Sequence, residues 1–210
     1  MLFVDRTDAG RRLARRLATM TFERPVILGL PRGGVPVAFE VSKVISAPLD
    51  VVLVRKLGAP TNPEFAIGAI GEDGARVIDA RTVAALGLSQ QRIDAIEEVE
   101  RAELERRAVQ FRGDRPPVPI DGATAILVDD GIATGATMRV ACTVVRQRGA
   151  SRIVVAVPVA PDDLDERFDA DDYIALEKPR HFMAVGQWYS NFRQTTDDEV
   201  VRCLEAARSE

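Results

Sequence analysis

Residues 125–137 read AILVDDGIATGAT, and they combine three kinds of local sequence. The run Ala125–Val128 is short and apolar, which predicts a strand that is buried on both faces of a sheet. Two acids, Asp129 and Asp130, follow at the point where this strand would end. The next residues are small, and they lead into a helical pattern. The stretch therefore predicts a strand, a tight loop and the start of a helix in succession.

A small-residue loop at the start of a helix suits an anion. Free backbone N–H groups and the positive end of the helix dipole face such a loop. Thr134 and Thr137 add hydroxyl donors, and Gly135 lets the backbone approach a ligand closely. The acid pair makes sense if the ligand carries hydroxyls or Mg²⁺ beside its phosphate, as a sugar phosphate does. An ordinary turn with helix caps is the alternative interpretation.

The segment VDDGIATGAT, residues 128–137, resembles the phosphoribosyl-pyrophosphate (PRPP) motif of type I phosphoribosyltransferases. The resemblance implies that Asp129 and Asp130 are catalytic residues that hold the 2′- and 3′-hydroxyls of the ribose. It implies Mg²⁺ as a cofactor near these carboxylates, without a direct set of protein ligands. It also implies a loop for the 5′-phosphate that consists of Ala133, Thr134, Gly135, Ala136 and Thr137.

Two other apolar runs end in residues suited to phosphate. Pro25–Leu30 leads into Pro31-Arg32-Gly33-Gly34, and Leu49–Val54 leads into Arg55-Lys56. Arginine can bind phosphate bidentately, and ligands of α/β sheets bind at the carboxyl ends of strands. A tight turn and a solvated basic pair are the alternatives. The family resemblance implies pyrophosphate binding by both segments, through Arg32, Gly33, Gly34, Arg55 and Lys56. It further implies that Arg55 and Lys56 stabilise the leaving group.

The segment between the apolar run Leu49–Val54 and the motif at residues 128–137 predicts an insertion. Phe65–Ile70 and Arg76–Asp79 have the pattern of a hairpin, and Ser89–Phe111 has that of a long polar helix with Ser89 as a candidate N-cap. In the resembled family this region includes a mobile loop that covers the active site, but its Ser-Tyr and Lys-x-x-x-x-His signatures have no clear copy here. Glu64 and Glu72 are the nearest candidates for a loop acid or base, and a structural or solvated role is the alternative for both.

Residues 181–196 hold most of the aromatic residues of the carboxyl-terminal part. In the resembled family a hood over the edge of the sheet holds the nucleobase. The resemblance therefore implies that Tyr189 or Phe192 stacks on a base. Packing of these rings against the rest of the protein is the alternative.

Strands that alternate with helices predict an α/β fold with a doubly wound, mostly parallel sheet. We expect one phosphoribosyltransferase-like domain over residues 1–210. Within it we expect a helical insertion at about 60–122 and a small hood with a final helix at about 178–210.

Composition narrows the range of partners. The net charge of −4 argues against nucleic acid and an anionic membrane. The sequence shows no apolar stretch of the kind needed for a membrane span or a signal peptide, and two distant cysteines are typical of a reducing compartment. We therefore expect a cytoplasmic protein. The oligomeric state stays open, a homo-oligomer included.

The implied activity is transfer of the phosphoribosyl group from PRPP to a nitrogenous base, with release of pyrophosphate. A purine acceptor is expected, because the segment from Arg55 to Pro60 is similar to that of adenine-type members, and nucleotide salvage is the expected role. A regulatory protein that binds PRPP or a nucleotide with little catalysis is the alternative. A phosphoacceptor receiver domain is disfavoured, because its acid pair would follow the first strand.

Overall fold

Eight strands and six α-helices make up the part of the chain that the structure describes. The structure is a computed structural model that describes residues 2–60, 62–166 and 168–209, and the side chains of Pro63, Glu64 and Ser209 lie outside that description. The strands are β1 (Pro25–Gly29), β2 (Leu49–Val51), β3 (Val54–Ala59), β4 (Asn62–Gly71), β5 (Arg76–Ile78), β6 (Thr124–Val128), β7 (Arg152–Val159) and β8 (Asp172–Glu177). The helices are α1 (Arg6–Leu17), α2 (Gly34–Ile45), α3 (Ala80–Ala85), α4 (Gln90–Arg112), α5 (Ala136–Gln147) and α6 (Asp197–Ser209).

The main sheet has five parallel strands in the order β2-β1-β6-β7-β8. Side chains of the central strands alternate between two apolar cores. Ile126 and Val154 pack in a core with α1, α2, α4 and α6, whereas Leu127 and Val155 pack in a core with α5. A strand covered by helices on both faces needs apolar residues at every position, which explains its continuous apolar run. The predicted α/β fold with a parallel sheet is confirmed.

A second sheet of three antiparallel strands follows β2, in the order β3-β4-β5. Its β4–β5 pair is the predicted hairpin. The apolar run Leu49–Val54 predicted a single strand, but its residues belong to two strands, β2 of the main sheet and β3 of the second sheet. Val52 still donates to Gly29 O at 3.1 Å, and from Val54 the chain pairs with Gly71 instead. The sequence gives no sign of the break between the strands, because Val52 and Leu53, which lie at the break, are also apolar and buried.

Helix α4 begins as the sequence predicts, with Ser89 as N-cap accepting a hydrogen bond from Arg92 N. Its last residue, Arg112, is buried and joins the insertion to the main sheet. The guanidinium donates to Asp50 Oδ1 at 2.7 Å, to Val51 O at 2.8 Å and to both carboxylate oxygens of Glu72. Burial alone would lower the pKa of Arg112, but the carboxylates of Glu72 and Asp50 raise it on balance. This network fixes one end of α4 against β2.

The same network gives Glu72 a structural role. Its residue is 8% exposed and its carboxylate is bound by Arg112, so the candidacy of Glu72 as an acid or base is not supported. Glu64, the other candidate, has a side chain outside the described part of the structure.

The first described residues meet the segment before α6 beside the main sheet. Phe3 N donates to Trp188 O at 2.8 Å and Ser190 N donates to Phe3 O at 2.7 Å. Asn191 N donates to Val4 O at 2.9 Å. These bonds hold residues 188–193 next to the start of α1. In the described ranges, no helix combines the length and the apolar content that crossing a membrane requires.

Candidate active site

The candidate site lies where the order of the main sheet reverses. From β1 the chain passes through α2 to β2 on one side, and from β6 it passes through α5 to β7 on the other. β1 and β6 are neighbours, so the loops that follow them open a crevice at the carboxyl edge of the sheet. The segments predicted to hold pyrophosphate and ribose phosphate are these two loops.

Helix α5 starts in the predicted phosphate loop. Its N-cap is Gly135, with φ +76° and no side-chain cap, and Ala136 N makes only a long hydrogen bond of 3.5 Å to Thr134 Oγ1, so the first backbone N–H groups of α5 can turn to an anion. The left-handed conformation explains why glycine occupies this position. Four of the five predicted phosphate-binding residues are exposed, namely Ala133, Thr134, Ala136 and Thr137. Arg139 braces the loop by donating to Thr134 O at 2.9 Å.

The predicted pyrophosphate loop packs directly against the acid pair. A Cβ atom at Gly33 would lie 2.0 Å from Asp130 Oδ2, and one at Gly34 would lie 2.5 Å from Val128 O. Gly33 has φ −63°, which any residue adopts, so this glycine is required by close approach and not by conformation. The peptide bond between Pro31 and Arg32 is cis. The two loops interlock at Gly33 and Gly34, where any side chain would have to displace atoms of the acid-pair segment.

Both acids are half-buried and sit side by side. Burial raises the pKa of Asp129 well above its usual range, and the negative charge of Asp130 raises it further. Burial also raises the pKa of Asp130, although the Arg6 guanidinium opposes this shift. Asp130 N donates to Asp129 Oδ1 at 2.8 Å. Ionisation of both carboxylates is therefore unfavourable, and a cation or the hydroxyl donors of a ligand would stabilise the ionised pair.

Arg6 is a site residue that the sequence analysis missed. Its Nε and Nη2 atoms lie 2.8 and 2.7 Å from Asp130 Oδ2, with side-chain exposures of 12% for Arg6 and 14% for Asp130. Its Nη1 donates to Arg193 O at 2.7 Å, and its guanidinium carbon lies 4.0 Å from the Phe192 ring centroid. The sequence carries no signal for this role, because Arg6 precedes several other arginines and is 124 residues from Asp130.

The two aromatic candidates differ in exposure. Tyr189 is 5% exposed, and its ring centroid lies 5.4 Å from that of Phe3 and 4.9 Å from that of Phe192. Its hydroxyl donates to Asp130 O. Stacking of a base on Tyr189 is incompatible with this packing, because the ring is enclosed. Phe192 is 36% exposed and keeps ring surface that a base could reach.

The predicted cations are placed around the same crevice. A small cavity of about 40 Å³ is lined by residues of all three predicted phosphate segments, among them Pro31, Arg55 and Thr137. Arg55 Nη2 also pairs with Glu100 of α4 at 2.6 Å. Lys56 follows Arg55 within β3 and is therefore directed to the opposite face of that strand. The structure brings Arg55 to the cavity but does not bring both cations there together.

Arg32 extends from the pyrophosphate loop toward α6. Its Nη1 lies 3.7 Å from Asp197 Oδ1, and both side chains are more than a third exposed. An exposed ion pair of this kind contributes little stability, so a phosphate ligand can displace it at small cost.

The acid pair suits Mg²⁺ that is shared with a ligand, and not Mg²⁺ that is enclosed by protein side chains alone. Among the described residues, no group of three or more His, Cys, Asp or Glu side chains could enclose a metal ion. Mg²⁺ often takes only one or two carboxylates and completes its shell with water and substrate phosphates. Asp129 and Asp130 suit that shared mode, in which the ligand supplies the remaining oxygens.

Comparison with known proteins identifies the family of this chain. The sequence profile of the phosphoribosyl transferase domain matches residues 5–193. Two Mycobacterium tuberculosis proteins, from strains CDC 1551 and H37Rv, are each 55% identical over 208 residues, and both carry the name "Putative phosphoribosyl transferase". The match covers 98% of this chain but 47% of each relative, so the chain spans about half the length of these proteins.

Solved structures share the fold. The crystal structure of TT1426 from Thermus thermophilus superposes with a TM-score of 0.88 at 46% identity, over 97% of this chain and 98% of that chain. A hypothetical protein from Neisseria gonorrhoeae with bound ppGpp matches with a TM-score of 0.51 at 14% identity, over 99% of both chains, which shows the fold alone. From the profile match and these relatives, the chain belongs to the type I phosphoribosyltransferase family.

Proposed function

We propose that the protein transfers the phosphoribosyl group of PRPP to a ring nitrogen of a base and releases pyrophosphate, with Mg²⁺ as cofactor. The interlock of Gly33 and Gly34 with the acid pair is the observation that carries this proposal. PRPP bears its pyrophosphate on C1′, next to the 2′- and 3′-hydroxyls, and its other phosphate at C5′. A pyrophosphate loop in contact with the ribose acids, with the Thr134 loop beyond them, matches that order of groups.

The reaction breaks the bond between C1′ and a pyrophosphate oxygen and forms a bond between C1′ and the acceptor nitrogen. The electron pair of the broken bond leaves with pyrophosphate, and the nitrogen gives up its proton to solvent. Positive charge develops on the ribose, as in glycoside cleavage, and we assign its stabilisation to Asp129 and Asp130. Arg32 and Arg55 would neutralise charge on the departing pyrophosphate. When bound, Mg²⁺ would screen the pyrophosphate charge.

The acceptor is proposed to be a purine that lies against Phe192. This choice rests on the similarity of the segment from Arg55 to Pro60 to adenine-type family members and on the exposed ring of Phe192. A cavity of about 400 Å³ is lined by Arg6 and by Asn191 and Arg193, the chain neighbours of Phe192, although not by Phe192 itself, and it is large enough for a base. A role in nucleotide salvage in the cytoplasm follows from the same proposal.

Calorimetric titration with PRPP, with and without Mg²⁺, tests the proposal. Asp130→Asn and Thr134→Ala should each weaken Mg²⁺-dependent binding by at least about tenfold, the usual worth of hydrogen bonds to charged groups. Asp172→Asn and Thr143→Ala are matched controls. Asp172 pairs with Arg152 at 2.6 Å at the amino end of β8, and Thr143 lies in the middle of α5. Both controls should bind as the wild type does.

Turnover is then measured as pyrophosphate release with purine and pyrimidine acceptors. Release with a purine supports the enzyme, and PRPP binding without release from any acceptor supports the regulatory alternative. Wild-type protein that binds no PRPP would refute the proposed function.

A further inference from the structure

Helix α4 of the insertion forms one wall of two neighbouring cavities. The first is the small cavity described above, to which α4 contributes Leu104 and Arg107. The second, of about 280 Å³, lies between the pyrophosphate loop and the carboxyl-terminal half of α4. Pro31 and Arg107 line both cavities. Space for a ligand therefore extends along the pyrophosphate loop and past Pro31.

The second cavity is strongly basic. Three of its seven lining residues are arginines, Arg32 from the pyrophosphate loop and Arg106 and Arg107 from α4. Asp197 is the one acid among the seven. A lining with this excess of positive charge and with guanidinium groups on opposite sides suits phosphate oxygens.

The two α4 arginines are held by an acid that a ligand can replace. Glu103 accepts hydrogen bonds from Arg106 Nε at 2.7 Å and from Arg107 Nε at 2.8 Å. These hydrogen bonds lower the pKa of Glu103 to about 2, so the carboxylate is ionised at neutral pH. Arg106 and Arg107 have 59% and 36% exposed side chains, and exposed pairs within one helix are weak. A phosphate group offers more charge and more acceptor oxygens than one carboxylate.

Contacts at the carboxyl-terminal end of α4 fix the helix, so Arg106 and Arg107 are held beside the pyrophosphate loop. Arg112 is locked to Asp50 and Glu72, and Arg107 lies less than two turns before it on the same helix. Gln110 Nε2 also donates to Asp197 Oδ2 at 2.8 Å, which ties α4 to α6 across the cavity.

We propose that α4 supplies a second cationic wall of the pyrophosphate site, in which Arg107, with Arg106 beside it, binds phosphate oxygens that extend past Pro31. This inference rests on the proposed function and adds ligand-binding residues that lie outside every segment assigned to phosphate from the sequence. The ligand class is a diphosphate, either free pyrophosphate or that of PRPP.

The test compares Arg107→Gln with Arg101→Gln. Arg101 pairs with Glu97 one helical turn apart, as Arg107 does with Glu103, but Arg101 lines neither cavity. Both changes remove one ion pair from α4, so their effects on helix stability are matched. Titration with Mg²⁺ and inorganic pyrophosphate, and separately with PRPP, should show about tenfold weaker binding for Arg107→Gln and less than about twofold change for Arg101→Gln. Arg107→Lys should bind more tightly than Arg107→Gln but less tightly than the wild type, because lysine keeps the positive charge but cannot make the two parallel hydrogen bonds of a guanidinium.

Glu103→Gln provides a readout that a purely structural role would not move. Removing this carboxylate frees Arg106 and Arg107, so pyrophosphate should bind about two- to fivefold more tightly. If Arg107→Gln binds both ligands as Arg101→Gln does while the wild type binds PRPP, the second wall is refuted and the proposed function stands. If the wild type binds no PRPP, the proposed function falls first, and this inference falls with it.

Discussion

Arg6 and Asp130 form a largely buried ion pair that joins the start of α1 to the acid pair after β6, with Nη2 2.7 Å from Oδ2. Arg6 begins α1, and Asp130 follows β6. Through Arg193 and Phe192 the same guanidinium reaches the carboxyl-terminal segment. One side chain therefore sets the position of Asp130, the proposed ribose-binding acid, and of residues 192–193 together.

Arg6→Ala should destabilise the protein by about 3 kcal/mol, because it leaves Asp130 buried without its partner. Urea denaturation measures this loss. Arg11→Ala is the control, since Arg11 has a 61% exposed side chain and its partner Glu40 also pairs with Lys43. The control should lose less than about 1 kcal/mol. Equal losses for the two variants would contradict a central role for Arg6.

Asp129→Asn should stabilise the protein at neutral pH while PRPP binding falls. The folded state raises the pKa of Asp129 above its ordinary value of 3.8, so it favours the protonated form, and ionisation costs stability. The cost is absent at low pH and grows as pH rises through the window above 3.8. Each unit of raised pKa corresponds to about 1.4 kcal/mol.

Urea midpoints of wild type and Asp129→Asn at pH 4 and pH 8 test this sign, in roughly the range where carboxyl groups finish titrating. The advantage of the variant should be larger at pH 8. Asp130→Asn should gain less stability than Asp129→Asn at neutral pH, because the pKa of Asp130 is also raised by burial but its pair with Arg6 opposes that shift. An advantage for Asp129→Asn that shrinks with rising pH would show that the acid pair is not strained.

Gly34→Ala should disrupt the site more than Gly33→Ala. The new methyl group at Gly34 would meet backbone atoms, Val128 O at 2.5 Å and Asp129 Cα at 2.8 Å. At Gly33 it would meet the end of the Asp130 side chain, which can move. We expect a loss of about 1–3 kcal/mol for Gly34→Ala by thermal unfolding, as for overpacked sites. Gly33→Ala should retain more stability but still lose PRPP binding, since Asp130 is displaced.

Glu100→Gln should tighten PRPP binding about two- to fivefold, because it releases Arg55 from an ion pair at 2.6 Å. Glu97→Gln is the control on the same helix, since Glu97 pairs with Arg76 and Arg101 instead. Titration calorimetry compares the three proteins. Unchanged or weaker binding by Glu100→Gln would indicate that Arg55 does not reach the ligand.

Arg112→Met should cost about 3–5 kcal/mol, because it leaves the carboxylates of Asp50 and Glu72 buried and unpaired. Arg112→Lys should also be costly, since an ammonium group cannot reproduce the forked contacts to Glu72 and Asp50. Chemical denaturation measures both changes. A stable Arg112→Met protein would mean that α4 is held by its apolar contacts alone.

Much of the fold could be predicted because its signals are local. A continuous apolar run such as that of β6 indicates a doubly covered strand, and the small residues that follow it indicate a helix start. The hairpin of β4 and β5 and the N-cap at Ser89 could also be predicted, because their signals lie in a few consecutive residues. The run from Leu49 to Val54 was misread, because burial in either of two sheets requires the same apolar residues.

The sequence by itself predicted which segments would carry phosphate chemistry: the acid pair, the Thr134 loop and the Gly33-Gly34 turn. Each is a property of a few consecutive residues and of the strand before them. Only the tertiary structure decided that Arg6 holds Asp130, that Tyr189 is enclosed and that Arg107 faces the pyrophosphate loop. These relations join residues far apart in the chain, and a charged or aromatic side chain carries no local mark of the partner that folding brings to it.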